Sequence, residues 1–88
     1  MRFNTFLKLL SIDIEKVGWY ITSFDHYIDE GKYHIACQKI VTKFQGGEPM
    51  KKIIMKDILF DELSLHRMSI KELIRNCIIE LGKEDIKA

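Results

Sequence analysis

Apolar residues recur along this chain with two different periods, and the change from one to the other divides it into elements. From Asn4 onward the spacing is helical: Phe6, Leu7, Leu10 and Ile14 fall on one stripe while Lys8, Ser11 and Glu15 face away. Asn4 stands where its side-chain oxygen can cap that helix. Gly18 interrupts the pattern, and from Trp19 to Ile28 and again from Tyr33 to about Phe44 the alternation is that of strands. Asp29-Glu30-Gly31-Lys32 lies between them with the composition of a hairpin turn, Gly31 being the residue able to take a positive φ.

A two-residue Glu30-Gly31 loop sets Asp29 opposite Lys32, and the remaining pairs follow by counting. Ile28 then meets Tyr33, His26 meets Ile35, Phe24 meets Cys37 and Tyr20 meets Val41 on a mostly apolar face. Tyr27/His34, Asp25/Ala36, Ser23/Gln38, Ile21/Ile40 and Trp19/Thr42 share a mixed one. Gln45-Gly46-Gly47-Glu48-Pro49 reads as a loop, and Lys52 to Phe60 as a third strand, because its apolar residues are too dense for one helical stripe. For 57–66 the alternative is a short helix through Leu65 capped by Asp57. Ser69-Ile70-Lys71-Glu72 is a capping box opening a last helix whose Ile70, Leu73, Ile74, Cys77, Ile78 and Leu81 line one side. Gly82 is placed as its C-terminal cap and residues 83–88 as a frayed tail.

These elements predict one small α+β domain over residues 1–88: helix, three-stranded antiparallel meander, helix (α-β-β-β-α), with both helices on one face of the sheet and the other face open. The order resembles that of the double-stranded-RNA-binding domain, a family with a lysine cluster at the start of its second helix. The corresponding segment here, Ser69-Ile70-Lys71-Glu72-Leu73, holds one lysine beside a glutamate, so the likeness is one of topology.

At 88 residues there is room for one core, and a formal charge of +1 provides no net field that would draw the molecule onto a polyanion. Lysine in excess of arginine and isoleucine as the favoured aliphatic are the habit of AT-rich bacterial or phage genomes. Cys37 and Cys77 each lie on the apolar side of their pattern, which predicts buried free thiols. The opening Met1-Arg2-Phe3-Asn4 does not read as a signal peptide and the longest apolar run is broken by Lys8 and Asp13, so a cytoplasmic location is expected.

Chemistry-bearing residues are sparse. His26, His34, His66, Cys37 and Cys77 have neither paired spacing nor a shared helical face, so no metal and no cofactor is expected. His26 is expected on the apolar side, hydrogen-bonded by a neighbour. Asp25, Tyr27 and His34 come within hydrogen-bonding reach on the open face, but a flat sheet lacks the nucleophile and pocket that catalysis needs, and no catalytic residue is assigned. Trp19, Ile21, Asp25, Tyr27, His34, Gln38 and Ile40 gather on that face as a candidate partner-binding set, since aromatic groups fixed on a strand give contact area at small entropic cost. With no remaining segment long enough to cover it, self-association as a dimer is also expected. The function expected is therefore a small non-enzymatic protein-interaction module or regulator, acting through the open face or an edge strand. The alternative is a nucleic-acid-binding module using Lys39, Lys43, Lys51, Lys52 and Lys56, with Trp19 or Tyr27 as stacking partners. Lys39 falls on the apolar side, where it must snorkel or mark a bulge.

Overall fold

Phe6, Leu10 and Ile14 are wholly excluded from solvent, and together they seat the first helix, α1 (Arg2–Glu15), on the sheet. The computed structural model describes residues 2–83, Arg2 by its backbone alone, so the tail expected to fray lies outside the described residues from 84 onward. Because α1 already begins at Arg2, Asn4 sits inside its first turn and is not the cap.

After Gly18 the chain enters β1 (Trp19–Tyr27), β2 (Lys32–Gln45) and β3 (Glu48–Asp61), an antiparallel sheet in the order β1-β2-β3. β3 runs through Asp57 to Asp61 and is followed by one helical turn, α2 (Ser64–Arg67), and then by α3 (Ile70–Gly82). This is the expected α-β-β-β-α order with a short turn added. α1 packs on β1 and α3 on β3, and the two helices touch, so they lie side by side on one face. Between helices and sheet lie Phe6, Leu10 and Ile14 of α1, Trp19 of β1, Ile35 and Cys37 of β2, Ile58 of β3, and Leu65, Leu73, Ile74, Cys77 and Leu81.

The first hairpin differs from its expected register, and the difference decides which side chains are buried. Ile28–Glu30 form a single 3-10 turn and Gly31, at φ 64°, closes it by donating its N–H to the Ile28 carbonyl at 3.2 Å. The loop is thus Ile28 to Gly31, and Tyr27 pairs with Lys32, His26 with Tyr33, Asp25 with His34 and Phe24 with Ile35. Ile28 and Asp29 are therefore loop residues, and the expected Ile28/Tyr33 and Phe24/Cys37 pairs do not form. A slip of two positions leaves every side chain on its expected face, because the strand period is two. Phe24 and His26 keep to the helix side and Asp25 and Tyr27 to the open side.

A bulge between Ile21 and Ser23 then reverses the rest of β1. Beyond it Ile21 opposes Cys37, Tyr20 opposes Gln38 and Trp19 opposes Lys39, so Trp19 and Ile21 turn toward the helices and Tyr20 turns outward. Thr22, the extra residue, donates its hydroxyl to the Ala36 carbonyl at 3.2 Å. The gain is the indole: Trp19 retains 5% exposure in the core, where the expected register would have left it in water. Lys39 keeps its place on the apolar side without a bulge of its own, with Nζ 5.9 Å from the centre of the Trp19 ring.

The second hairpin is longer than the pattern predicted. Gly46 and Gly47 both have positive φ, 60° and 84°, and alone make the turn, so Glu48 and Pro49 open β3 instead of lying in a loop. Pairing runs from Gln45 with Glu48 to Lys32 with Asp61, whereas β1 covers β2 only as far as Lys39. Residues 40–53 consequently project as a two-stranded arm from a molecule 50 × 27 × 21 Å in extent. Replacing Gly47 by Val should strain the turn by about 1–2 kcal/mol. Hydrogen exchange is expected to quicken along the arm while the amides of Ile35 and Cys37 keep their protection.

Ser69 caps α3, its Oγ accepting the Glu72 N–H at 3.2 Å. Gly82 is the last helical residue and not a left-handed cap, since the chain leaves through Lys83 in extended conformation at φ −71°. Ser69→Ala should cost about 0.5–2 kcal/mol and Leu73→Ala, buried at the same helix start, about 2–5 kcal/mol in denaturant unfolding. Cys37 and Cys77 are buried and unbridged, as expected. Burial, aided by Asp57, pushes the Cys37 thiol up from 9.0 to about 11, and burial, aided by Cys37 and Glu80, pushes Cys77 up to about 12. Both stay protonated near neutrality, so a disulfide reagent at pH 8 should react only after the chain is unfolded. Because the folded values lie above the unfolded one, the stability these thiols lend is complete below pH 9.0 and lost as pH rises toward 11 and 12.

Candidate functional site

The register of both hairpins determines the open face. β1 contributes Tyr20, Asp25 and Tyr27, β2 contributes His34, Gln38, Ile40 and Phe44, and β3 contributes Ile53, Met55, Asp57 and Leu59. Ile40 lies directly across from Ile53, Gln38 from Met55 and His34 from Leu59. The arm end is apolar, with Ile53 58%, Met55 70% and Phe44 74% exposed, and Ile40 and Tyr20 exposed beside them. Side chains of this size left in water on adjacent strands form a continuous strip, which is the feature that calls for a partner.

The other end of the face is polar and internally bonded. His34 Nε2 lies 2.9 Å from Asp57 Oδ1, the Tyr27 hydroxyl 3.4 Å from His34 Nδ1, and Asp25 Oδ2 3.7 Å from the same nitrogen. Asp57 as a carboxylate only accepts, so His34 donates to it from Nε2. The Tyr27 and His34 rings are nearly parallel, 11° between planes with centres 5.8 Å apart. Of the expected trio only the Tyr27–His34 hydrogen bond forms; Asp25 stands beside it at 3.7 Å, and the closer partner of His34 is Asp57 from the third strand. Asp25 sits straight across from His34 and not diagonally. Asp57, His34 and Tyr27 thus make a polar border to the apolar strip.

Of the residues expected to bind a partner, Asp25, Tyr27, His34, Gln38 and Ile40 are on the open face, and Trp19 and Ile21 are not, because the bulge turned them inward. Sequence reasoning missed Phe44, Ile53, Met55, Asp57 and Leu59, since the face was built from the first hairpin alone. Reading Gly46-Gly47 as a two-residue turn would have paired Ile40 with Ile53 and found them.

The basic residues divide between the two faces. Lys39, Lys43, Lys52 and Lys56 surround a cleft of about 760 Å³ on the helix side of the arm, whereas Lys51 faces the other way, across from Thr42. His26 stands at the sheet margin and not in the core, donating from Nε2 to Glu62 Oε2 at 2.7 Å and stacking on Tyr33 at 4.3 Å. Tyr33 in turn stacks on Phe3 at 3.9 Å, so the column ties β1, β2 and α1 together. Among the described residues no cluster of histidine, cysteine and carboxylate could hold a metal ion, and no helix is long and apolar enough to cross a membrane.

Compared with known proteins, the chain matches no family model, no curated protein and no solved structure. The topological likeness to the double-stranded-RNA-binding domain therefore contributes nothing to a functional argument.

Proposed function

We propose that this chain is a non-enzymatic interaction module that docks a partner protein on the open face of its sheet. The observation that supports the reading is the exposed Ile40–Ile53 pair, with Phe44 and Met55 beside it, on the face of the hairpin turned away from the helices. A two-stranded hairpin is marginal in water, and apolar residues placed on one serve no core of this chain. A partner that covered the strip would bury them and stabilise the arm at once. The bonded cluster around His34 supplies the polar rim that such interfaces carry at their margin. A second copy of the chain is one partner this face could take, and a rise in mass with concentration, lost in Ile40→Asp, would identify it.

Nucleic acid is the weaker reading. Four of the five lysines gather, but Trp19 is buried behind Lys39 and Tyr27 lies on the opposite face, so no stacking surface accompanies the charge. Affinity purification from the native cell with the wild-type chain and with Ile40→Asp and Lys43→Glu variants tests the choice. A species retained by wild type and Lys43→Glu but lost with Ile40→Asp agrees with the proposal, and the converse pattern favours phosphate binding. In a salt series the first kind of complex should hold its affinity and the second should lose it steeply.

A further inference from the structure

The cleft on the helix side of the arm is built differently from the open face. Trp19, Val41, Ile54 and Leu81 form its apolar floor, Lys39, Lys43, Lys52 and Lys56 stand round it, and among the described residues no carboxylate lines it. β2 contributes Val41 and Lys43 to it, within the stretch 40–45 that pairs with β3 alone among the described strands because the pairing of β1 ends at Trp19.

We propose that this cleft receives an extended peptide segment of a partner protein, with acidic and apolar residues at every second position and polar ones between, which adds as a strand to the free edge of β2 in line with β1. The edge offers backbone N–H and C=O groups without a strand partner among the described residues, the requirement for strand addition. Successive residues of an added strand point to opposite faces, and both the apolar floor and the lysines are on the helix side, so it is the inward set, every second residue, that would bring an apolar side chain to Val41 and Trp19 and carboxylates to Lys43 and Lys52.

Those lysines are not equally free. Lys56 donates to the Lys83 carbonyl, and Lys39 covers the Trp19 ring. Lys43 and Lys52 form no ion pair among the described residues, which leaves them as the two charges that an incoming carboxylate would meet. A second copy of the same arm would instead bring like charges together, and a nucleic acid would find the one indole of the cleft already buried. The proposal is independent of the open-face reading, which uses the other side of the hairpin.

The test is titration of the full chain with the peptide acetyl-Glu-Thr-Ile-Thr-Glu-Thr-amide, which carries its acidic and apolar residues on one face, followed by emission of the single tryptophan and by hydrogen exchange. Saturable binding should shift Trp19 emission, protect amides within residues 40–45, and weaken at least about tenfold in Lys43→Glu/Lys52→Glu and less in Lys43→Ala. Met55→Asp, on the open face and outside the cleft lining, should bind the peptide as wild type does, even if it has lost the open-face partner. The proposal is overturned by absence of saturable binding, by binding that leaves residues 40–45 unprotected, or by an unchanged affinity in variants that circular dichroism shows to be folded. It is equally overturned if oligothymidylate, and not the peptide, binds the cleft.

Discussion

Trp19→Ala should destabilise the fold by about 3–5 kcal/mol, the range for removing a large aromatic side chain from a core. Nothing in the local sequence announces this, since Trp19 heads a strand and alternation from the Gly31 turn assigns it to the open face. The bulge at Thr22 places it instead in the core cluster that includes Leu81, with Lys39 over its ring and 5% of its surface in water. For a domain of 88 residues whose total stability is roughly 4–13 kcal/mol, the loss approaches the whole. Denaturant unfolding followed by circular dichroism measures it. Trp19→Phe should lose less, and Tyr20→Ala, one residue along and outward, should lose about 1 kcal/mol or less. Near-equal values for Trp19→Ala and Tyr20→Ala would show that β1 has no bulge.

The second large effect is on binding. Ile53→Asp with Met55→Asp should weaken the open-face complex by about 2 kcal/mol or more, roughly thirtyfold, because both side chains lie in the middle of the apolar strip and a carboxylate there would be buried without a partner. Both residues are more than half exposed in the free chain, so unfolding of the isolated protein should change little. Calorimetry with the purified partner reads the first quantity and urea unfolding the second. Lys51→Ala, at the rim of the same face, should alter association rate and salt dependence more than affinity.

How much of this was legible in the sequence follows from the range of each signal. The α3 helix was readable because Ser69 and the apolar stripe from Ile70 to Leu81 are local and redundant, and the α+β order because period changes mark each element. Register was not, because it depends on two local choices that carry no compositional mark. Ile28–Glu30 closes as a 3-10 turn where a two-residue loop had the same residues available, and Thr22 bulges although threonine is an ordinary strand residue. The first slip preserved the faces and the second inverted Trp19 and Ile21, so five of the seven residues expected to bind a partner stand on the open face. The arm was hidden for another reason: Glu48, Pro49, Met50 and Lys51 have no alternation to show, and Pro49 is tolerated because β3 is an edge strand. The lysines were recognised as a concentration, but their gathering around one cleft depends on the pairing of β2 with β3.

The central claim is that the open face is the surface the chain uses. Site-specific photo-crosslinking in the native cell addresses it directly, with a benzophenone amino acid placed at Met55 on the open face or at Asn76, exposed on α3 away from the sheet. A discrete adduct from position 55, lost when Ile53→Asp is added and not seen from position 76, is the result the account predicts. An adduct from position 76 alone, or none from position 55 in a chain shown to be folded and expressed, would contradict it.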